Sequence, residues 1–489
     1  MNNTNLNQKV SLPVQEILKR LRGRPRLLPV LLVLLVLGLC VTSARVLDEP
    51  EPQLFGSAST SDFGDYFEAA RRLGSGQDPY RLDALLEVQR EAAMLSDTSD
   101  MSALFALLMK LRGVGTYLYP PFTATLLLPF RGLSYSVAAG IYQFISVLVL
   151  VLSGVFLVRR FGSAAHARTE VWIALLLSGL LLYSFLLGNA SNGNIGFLLV
   201  GLLTVGLVWA FDEARYREFL GGVLLGVATG MKVTPGYLGA VLLAGRRFTG
   251  IVGMAVGLGG TLLLPALALG WQENLNHLEQ WYALVIESFG RITFVRAWAN
   301  NQSLSGAVGK LFVPGSDLAQ SKYGLPLAIP GISDGPEALR RLGRLVRLSG
   351  LVLTAGLLVL ALKRAWHSRP KFEGHSLVED VWLQRFLLLC LVTSLLVSGV
   401  SWYHAYSILV IPLAFYWIRV QRKQAPIDKT EIATLAVLGS FGLIHLLFPR
   451  SVREGLAMYS VFAWLMCGLA VLLAVGAWGG NVGARPSRS

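Results

Sequence analysis

Apolar runs recur along almost the whole chain, several of 17 residues or more, and nothing else in the sequence constrains the fold as strongly. In hydrocarbon every backbone N–H and C=O must be paired within the chain, so such runs become helices. Twelve segments are read as spans, near 27–46, 135–158, 171–187, 195–211, 219–231, 236–245, 249–269, 346–362, 381–399, 404–420, 431–448 and 456–476. The chain is 54% hydrophobic and 15% charged, whereas a soluble domain carries about 25% charge. The expectation is an all-α polytopic membrane protein with about 12 transmembrane helices. Two long extracytoplasmic loops, 47–134 and 270–345, separate its spans.

The net charge of +14 would suggest nucleic acid in another chain. Here the basic residues sit in short blocks between spans: the N-terminus up to Arg26, Arg159-Arg160 with Arg168, Arg215 and Arg217, Arg246-Arg247, Lys363 to Lys371, Arg419 to Lys429, and Arg485 with Arg488. No basic face is interleaved with aromatics, so the partner implied is the lipid bilayer and no nucleic acid is expected. Twelve spans leave every block on one side, which the positive-inside rule makes cytoplasmic. Residues 1–26 are then a cytoplasmic basic N-terminus, 27–476 a single transmembrane domain and 477–489 a cytoplasmic tail, in the plasma (inner) membrane. The apolar run from Leu27 exceeds a signal h-region, so an uncleaved first span is expected. Cys40, Cys390 and Cys467 lie inside apolar runs and read as small core hydrophobes, not as a disulfide framework or metal site.

Two stretches need a decision. Residues 119–130 are apolar but too short to cross, and a crossing there would turn Arg159-Arg160 outward, so a juxtamembrane helix is expected. Segment 219–245 carries Lys232-Val-Thr-Pro235 in its middle. Proline disfavours helix continuation and a lysine at mid-membrane is costly, so two short helices with Lys232 at the outer tip are expected, leaving a cavity open to the outside.

The first loop holds 12 of the 29 acidic residues, among them Asp62 and Asp65, one helical turn apart. They open a predicted helix that places Phe63, Phe67, Ala70 and Leu73 on one face and ends at Gly74. Asp62 as an N-cap and Asp65 as a first-turn acid would account for both without chemistry. The functional alternative makes one of them a general base for a hydroxyl nucleophile. Lys232 suits an anionic headgroup at the outer leaflet, or it snorkels or pairs with a carboxylate. Gly188-Asn-Ala-Ser-Asn-Gly-Asn194 reads as a polar outer turn. Arg296-Ala-Trp-Ala-Asn-Asn-Gln-Ser303 mixes aromatics, amides and a cation, as a sugar site does and as an interfacial helix does. Ser401-Trp-Tyr-His-Ala-Tyr406 closes a span with aromatics beside a histidine. No Walker, Rossmann or zinc-spaced motif is present, and no internal repeat is visible.

In order, Asp62-Phe63, Tyr66-Phe67-Glu-Ala-Ala70, Gly76-Gln-Asp-Pro-Tyr80, Tyr119-Pro-Pro121, Gly188-Asn189 to Asn194, Lys232-Val-Thr-Pro235, Asn301-Gln-Ser303 and Trp402-Tyr-His404 resemble glycosyltransferase family 87, of the GT-C superfamily. The resemblance runs from about 55 to 420, with Gly188-Asn189 where the family more usually has Gly-Gln. It implies a hexosyltransferase taking a sugar, most readily mannose, from a polyprenyl phosphate to a glycolipid or glycan acceptor. The transfer would be a single inverting displacement with no metal and no cofactor. The family's base falls on Asp62, with Asp65 in contention, and Lys232 is placed beside the donor phosphate. Substrate contacts are expected from His404, Asn301, Gln302, Tyr80, Tyr119, Asn192, Asn194, Arg296 and Trp402. Arabinofuranose or glucose transfer, and a lipid-linked glycan transporter, remain alternatives at this point.

Overall fold

A computed structural model of the chain describes residues 16–47, 61–80, 117–286, 300–312, 335–367, 377–423 and 427–479. Among these residues the secondary structure is helical with no strand, only an isolated bridge between Asn301 and Trp402. The order is α1 (Leu27–Ser43), α2 (Asp62–Gly74), α3 (Pro121–Leu126), α4 (Tyr135–Phe161), α5 (Ala165–Leu181), α6 (Tyr183–Asn192), α7 (Gly196–Ala210) and α8 (Arg215–Met231). A 3-10 turn, Thr234–Tyr237, leads into α9 (Leu238–Ala244), followed by α10 (Phe248–Leu263), α11 (Trp271–Trp281), α12 (Leu304–Phe312) and α13 (Gly335–His367). The chain then runs through α14 (Val381–Val397), a second 3-10 segment (Tyr403–Leu409), α15 (Val410–Lys423), α16 (Lys429–Leu447), α17 (Arg450–Met458) and α18 (Val461–Gly479).

Six helices are long and apolar enough to cross a membrane, and the α5–α6 pair, bent by 70°, makes a seventh if it is one span. A helix occupies each of the twelve expected segments, yet only these six or seven meet that measure. Gly196–Ala210, Thr234–Ala244 and Val381–Val397 are apolar but short. The last is buried along most of its length, so other helices rather than lipid surround its middle. The 119–130 stretch forms only α3 and one 3-10 turn, as its length predicts.

Two local features position the site. Helix α8 packs on α10 through glycines: a Cβ on Gly222 would run into the backbone of Gly250, and one on Gly226 into that of Met254 and Gly257. Small residues at four-residue spacing let two helices approach this closely, which fixes where α8 ends. It ends at Met231; Lys232 is extended (φ −151, ψ 126), and Thr234-Pro235 starts the next turn. At the α6–α7 junction Gly193 sits left-handed at φ 60, with its Cα against Phe63 of α2. The polar turn expected over 188–194 is thus shorter, because α6 continues to Asn192.

Chain direction sorts the helix ends into two sets. The C-terminal ends of α1 and α8, the start of α4, the α6–α7 junction and the start of the second 3-10 segment share one end. The opposite end carries the described blocks Arg159-Arg160, Arg215 with Arg217 and Arg246-Arg247, where Arg160 and Arg217 each pair with Asp212 at 3.2 Å.

Candidate active site

Helix α2 is capped by Ser61, whose hydroxyl accepts from the Gly64 N–H at 3.1 Å. Its apolar face, Phe63, Tyr66, Phe67, Ala70 and Leu73, is buried, with Phe63 against Tyr142 (4.8 Å between ring centroids) and Tyr135 (5.6 Å). Because Ser61 is the cap, the Asp62 carboxylate is not consumed by the helix N-terminus, and the capping account of this residue is set aside. Asp62 Oδ2 instead accepts from Asn194 Nδ2 at 2.9 Å and meets His404 Nε2 at 3.1 Å. A carboxylate oxygen offers only lone pairs, so this approach is favourable with the proton on Nε2. Among the described residues Asp62 Oδ1 has no hydrogen-bond partner, and 14% of the side chain stays exposed. One oxygen is held from two sides, and the other is left without a partner among the described residues.

Asn194 is the hub of the cluster. Its Nδ2 also lies 3.2 Å from the hydroxyls of both Tyr66 and Tyr119, while its Oδ1 accepts from the Gly196 N–H at 2.9 Å. Burial pushes both phenols well up, Tyr66 and Tyr119 alike, so they stay neutral around the carboxylate. Lys232 stands over the Tyr119 ring, with Nζ 5.7 Å from the centroid. Its removal from water lowers its pKa, and the nearby Asp62 charge opposes that shift. A carboxylate, an imidazole and an ammonium therefore share one aromatic recess, contributed by four distant parts of the chain.

A supporting layer holds these groups. Thr123 at the start of α3 donates to the Met231 carbonyl (3.1 Å), which ties Tyr119 to the Lys232 tip. Tyr80 donates to the Tyr119 carbonyl at 2.9 Å. Asn301 and Gln302 are fully buried, and their amides serve the backbone around His404. Asn301 Oδ1 accepts from the Ser401 N–H (2.9 Å), its Nδ2 donates to the Gly399 carbonyl (3.1 Å), and Gln302 Nε2 donates to the Ala457 carbonyl (3.2 Å). Lys310, 0% exposed, donates to the carbonyls of Asn301 (2.9 Å) and Ala457 (2.8 Å), stapling this loop to the end of α17.

Of the residues expected at the site, Asp62, Asn194, Tyr119, Lys232 and His404 meet in one cluster. Trp402 lies beside His404 with the rings tilted at 58°, 5.7 Å between centroids. Tyr80, Asn301 and Gln302 lie behind the cluster as supports. Asn192 turns back to the Gly188 carbonyl at 2.6 Å. Asp65 is partly buried on the same helix, one turn past Asp62. Arg296 falls outside the described residues. Lys310 and Tyr66 are not among the expected site residues, although Tyr66 falls in a quoted motif and Lys310 carries the cue that marks Lys232, a lone lysine in an apolar stretch. A cleft at the opposite end is lined by Gln384, Arg385, Tyr416, Arg419 and Glu431. Its charges are spent on each other, Arg385 and Arg419 on Glu431, so it offers no free reactive group.

The all-α bundle and this recess define a multi-pass membrane enzyme with its polar groups gathered at one helix end. The chain belongs to Glycosyltransferase family 87, whose profile matches residues 117–399. It is a glycosyltransferase. Asp62 and His404 both lie outside the matched stretch; the fold, not the match, joins them to Asn194 and Lys232. The chain is similar to the polyprenol-phosphate-mannose-dependent alpha-(1-2)-phosphatidylinositol pentamannoside mannosyltransferase of Mycobacterium tuberculosis, 23% identical over 368 residues, 74% of this chain and 72% of that one. The protein of the same name from Mycolicibacterium smegmatis is 25% identical over 366 residues, 74% of this chain and 76% of that one. No solved structure matches the chain.

Proposed function

We propose that the protein transfers a mannosyl unit from a polyprenyl-phosphate donor to a hydroxyl of a glycolipid or glycan, at the extracytoplasmic face of the plasma membrane. Asp62 is the general base. Its open Oδ1 takes the proton from the acceptor hydroxyl as that oxygen bonds to the anomeric carbon. The anomeric carbon–phosphate oxygen bond breaks in the same displacement, and polyprenyl phosphate leaves with the electron pair, so configuration inverts. Lys232 stands beside the leaving phosphate and stabilises its charge. His404 and Asn194 orient the base. The observation that carries this reading is the Asp62 carboxylate held through Oδ2 with Oδ1 open, and an ammonium over the Tyr119 ring. The two mycobacterial relatives, named for polyprenol-phosphate-mannose and an anionic glycolipid, favour the donor and acceptor classes. The outward orientation is supported by the basic blocks, which gather at the opposite helix ends.

The test is transfer by the purified protein in nanodiscs, offered polyprenyl-phosphate mannose, glucose and arabinofuranose with glycolipid acceptors. Mannose transfer with inversion is expected; absence of transfer from every lipid-linked donor defeats the proposal. Lys232→Met should raise the donor KM about 10- to 100-fold, the size of one charged contact of about 1.5–3 kcal/mol. An unchanged donor KM would remove Lys232 from the phosphate site.

A further inference from the structure

Helix α13 begins well before its crossing and carries exposed arginines on the end that leads toward the recess. Tyr237, five residues past Lys232, hydrogen-bonds Thr354 of α13 at 2.7 Å, which sets the two helices in register. Arg347 stands two turns, roughly 10 Å, nearer the site end than Thr354, and Arg344 one turn beyond that. Both are exposed, and among the described residues neither forms an ion pair. Leu345, Leu348, Leu351 and Val352 around them are also exposed, so this surface faces lipid. At the other end of the helix the cations are engaged: Arg364 pairs with Asp380 at 3.0 Å and Lys363 donates to the Trp478 carbonyl at 3.3 Å.

The spacing turns this contrast into a binding argument. Arg347 and Lys363 are separated by roughly 24 Å of helix, less than the roughly 30 Å hydrocarbon thickness. With Lys363 at its own interface, Arg347 is drawn to the boundary between acyl chains and headgroups, where a guanidinium needs an anion. The positive-inside rule gives no reason for arginines at this end. Arg344, Arg347, Leu348 and Leu351 fall on one stripe of the helix. Guanidiniums lie outermost and leucines below, the order in which a phospholipid presents phosphate and then acyl chain.

We propose that Arg344 and Arg347 hold the phosphodiester of an anionic phospholipid from the leaflet on the site side, its acyl chain lying along Leu348 and Leu351. The proposal rests on the orientation given under the proposed function and not on the reaction, and it is tested without donor. Full-length wild type and Arg344→Gln/Arg347→Gln protein are reconstituted in nanodiscs of phosphatidylcholine alone or mixed with phosphatidylinositol, and retained lipid is identified by native mass spectrometry. Wild type should retain phosphatidylinositol over phosphatidylcholine by roughly tenfold, the size expected for two arginines at a charged leaflet. The double glutamine variant should lose that preference at an unchanged thermal midpoint, and Arg344→Lys/Arg347→Lys should keep part of it. Raised salt should weaken wild-type retention, and inorganic phosphate should not compete, since it lacks the acyl chain. No preference in wild type, or an equal preference in the glutamine variant, overturns the proposal. Competition by inorganic phosphate equal to that of the lipid would also overturn it, making the stripe a plain anion site.

Discussion

Asp62→Asn is expected to reduce transfer about 10²- to 10⁴-fold, the usual share of a positioned general base. The amide is nearly isosteric and its oxygen can still accept from Asn194 and lie against His404, so the thermal midpoint and donor KM should hardly move. What it loses is the ability to take a proton at the open position. The loss should therefore fall on kcat. Asp65→Asn should cost under about tenfold, because Asp62, not Asp65, accepts from Asn194 and lies against His404. Measured side by side in nanodiscs with polyprenyl-phosphate mannose, full activity in Asp62→Asn sinks the base assignment, and a reversed order of the two variants moves it to Asp65.

The second large effect is expected far from the reacting atoms. Lys310→Met removes the donor to the carbonyls of Asn301 and Ala457 in a fully buried setting. Gln302 still serves Ala457, so the main loss is at Asn301. An unsatisfied buried carbonyl costs about 1–3 kcal/mol. The loop it holds includes Asn301, whose side chain fixes the Ser401 N–H, three residues before His404. The expected result is a lower thermal midpoint together with a lower kcat at unchanged donor KM, because the base loses its orienting imidazole while Lys232 is untouched. A lowered midpoint with wild-type kcat would make Lys310 structural only. Loss through KM alone would place its effect on donor binding.

Much of the architecture follows from hydropathy and charge order. The helix positions, the break at Lys232 before Pro235, the short 119–130 stretch and the extent of α2 are all set by local rules: apolar length, proline geometry and amphipathic period. Hydropathy alone does not tell which segments are long enough to cross by themselves, because it treats a helix enclosed by others, such as α14, like one facing lipid. Composition misleads around Asn301 and Gln302 for a related reason. Amides beside aromatics suit sugar hydroxyls, but here both side chains are buried and bonded to backbone.

The two aspartates show where local rules end. Period and spacing place Asp62 and Asp65 on one predicted helix start, and either suits a cap or a base equally well. Their separation depends on Ser61 taking the cap and on Asn194, 132 positions along the chain, and His404, more than 300 along, arriving beside Asp62. A carboxylate's chemistry is set by the dipoles and charges within a few ångströms of it, and those neighbours come from tertiary packing. The chain's own pattern thus settles that this is a membrane-embedded α-helical protein with acid at one helix start. Which acid is clamped, and that a lysine stands over the tyrosine ring beside it, only the packing of α2, α7, α8 and the 3-10 segment decides.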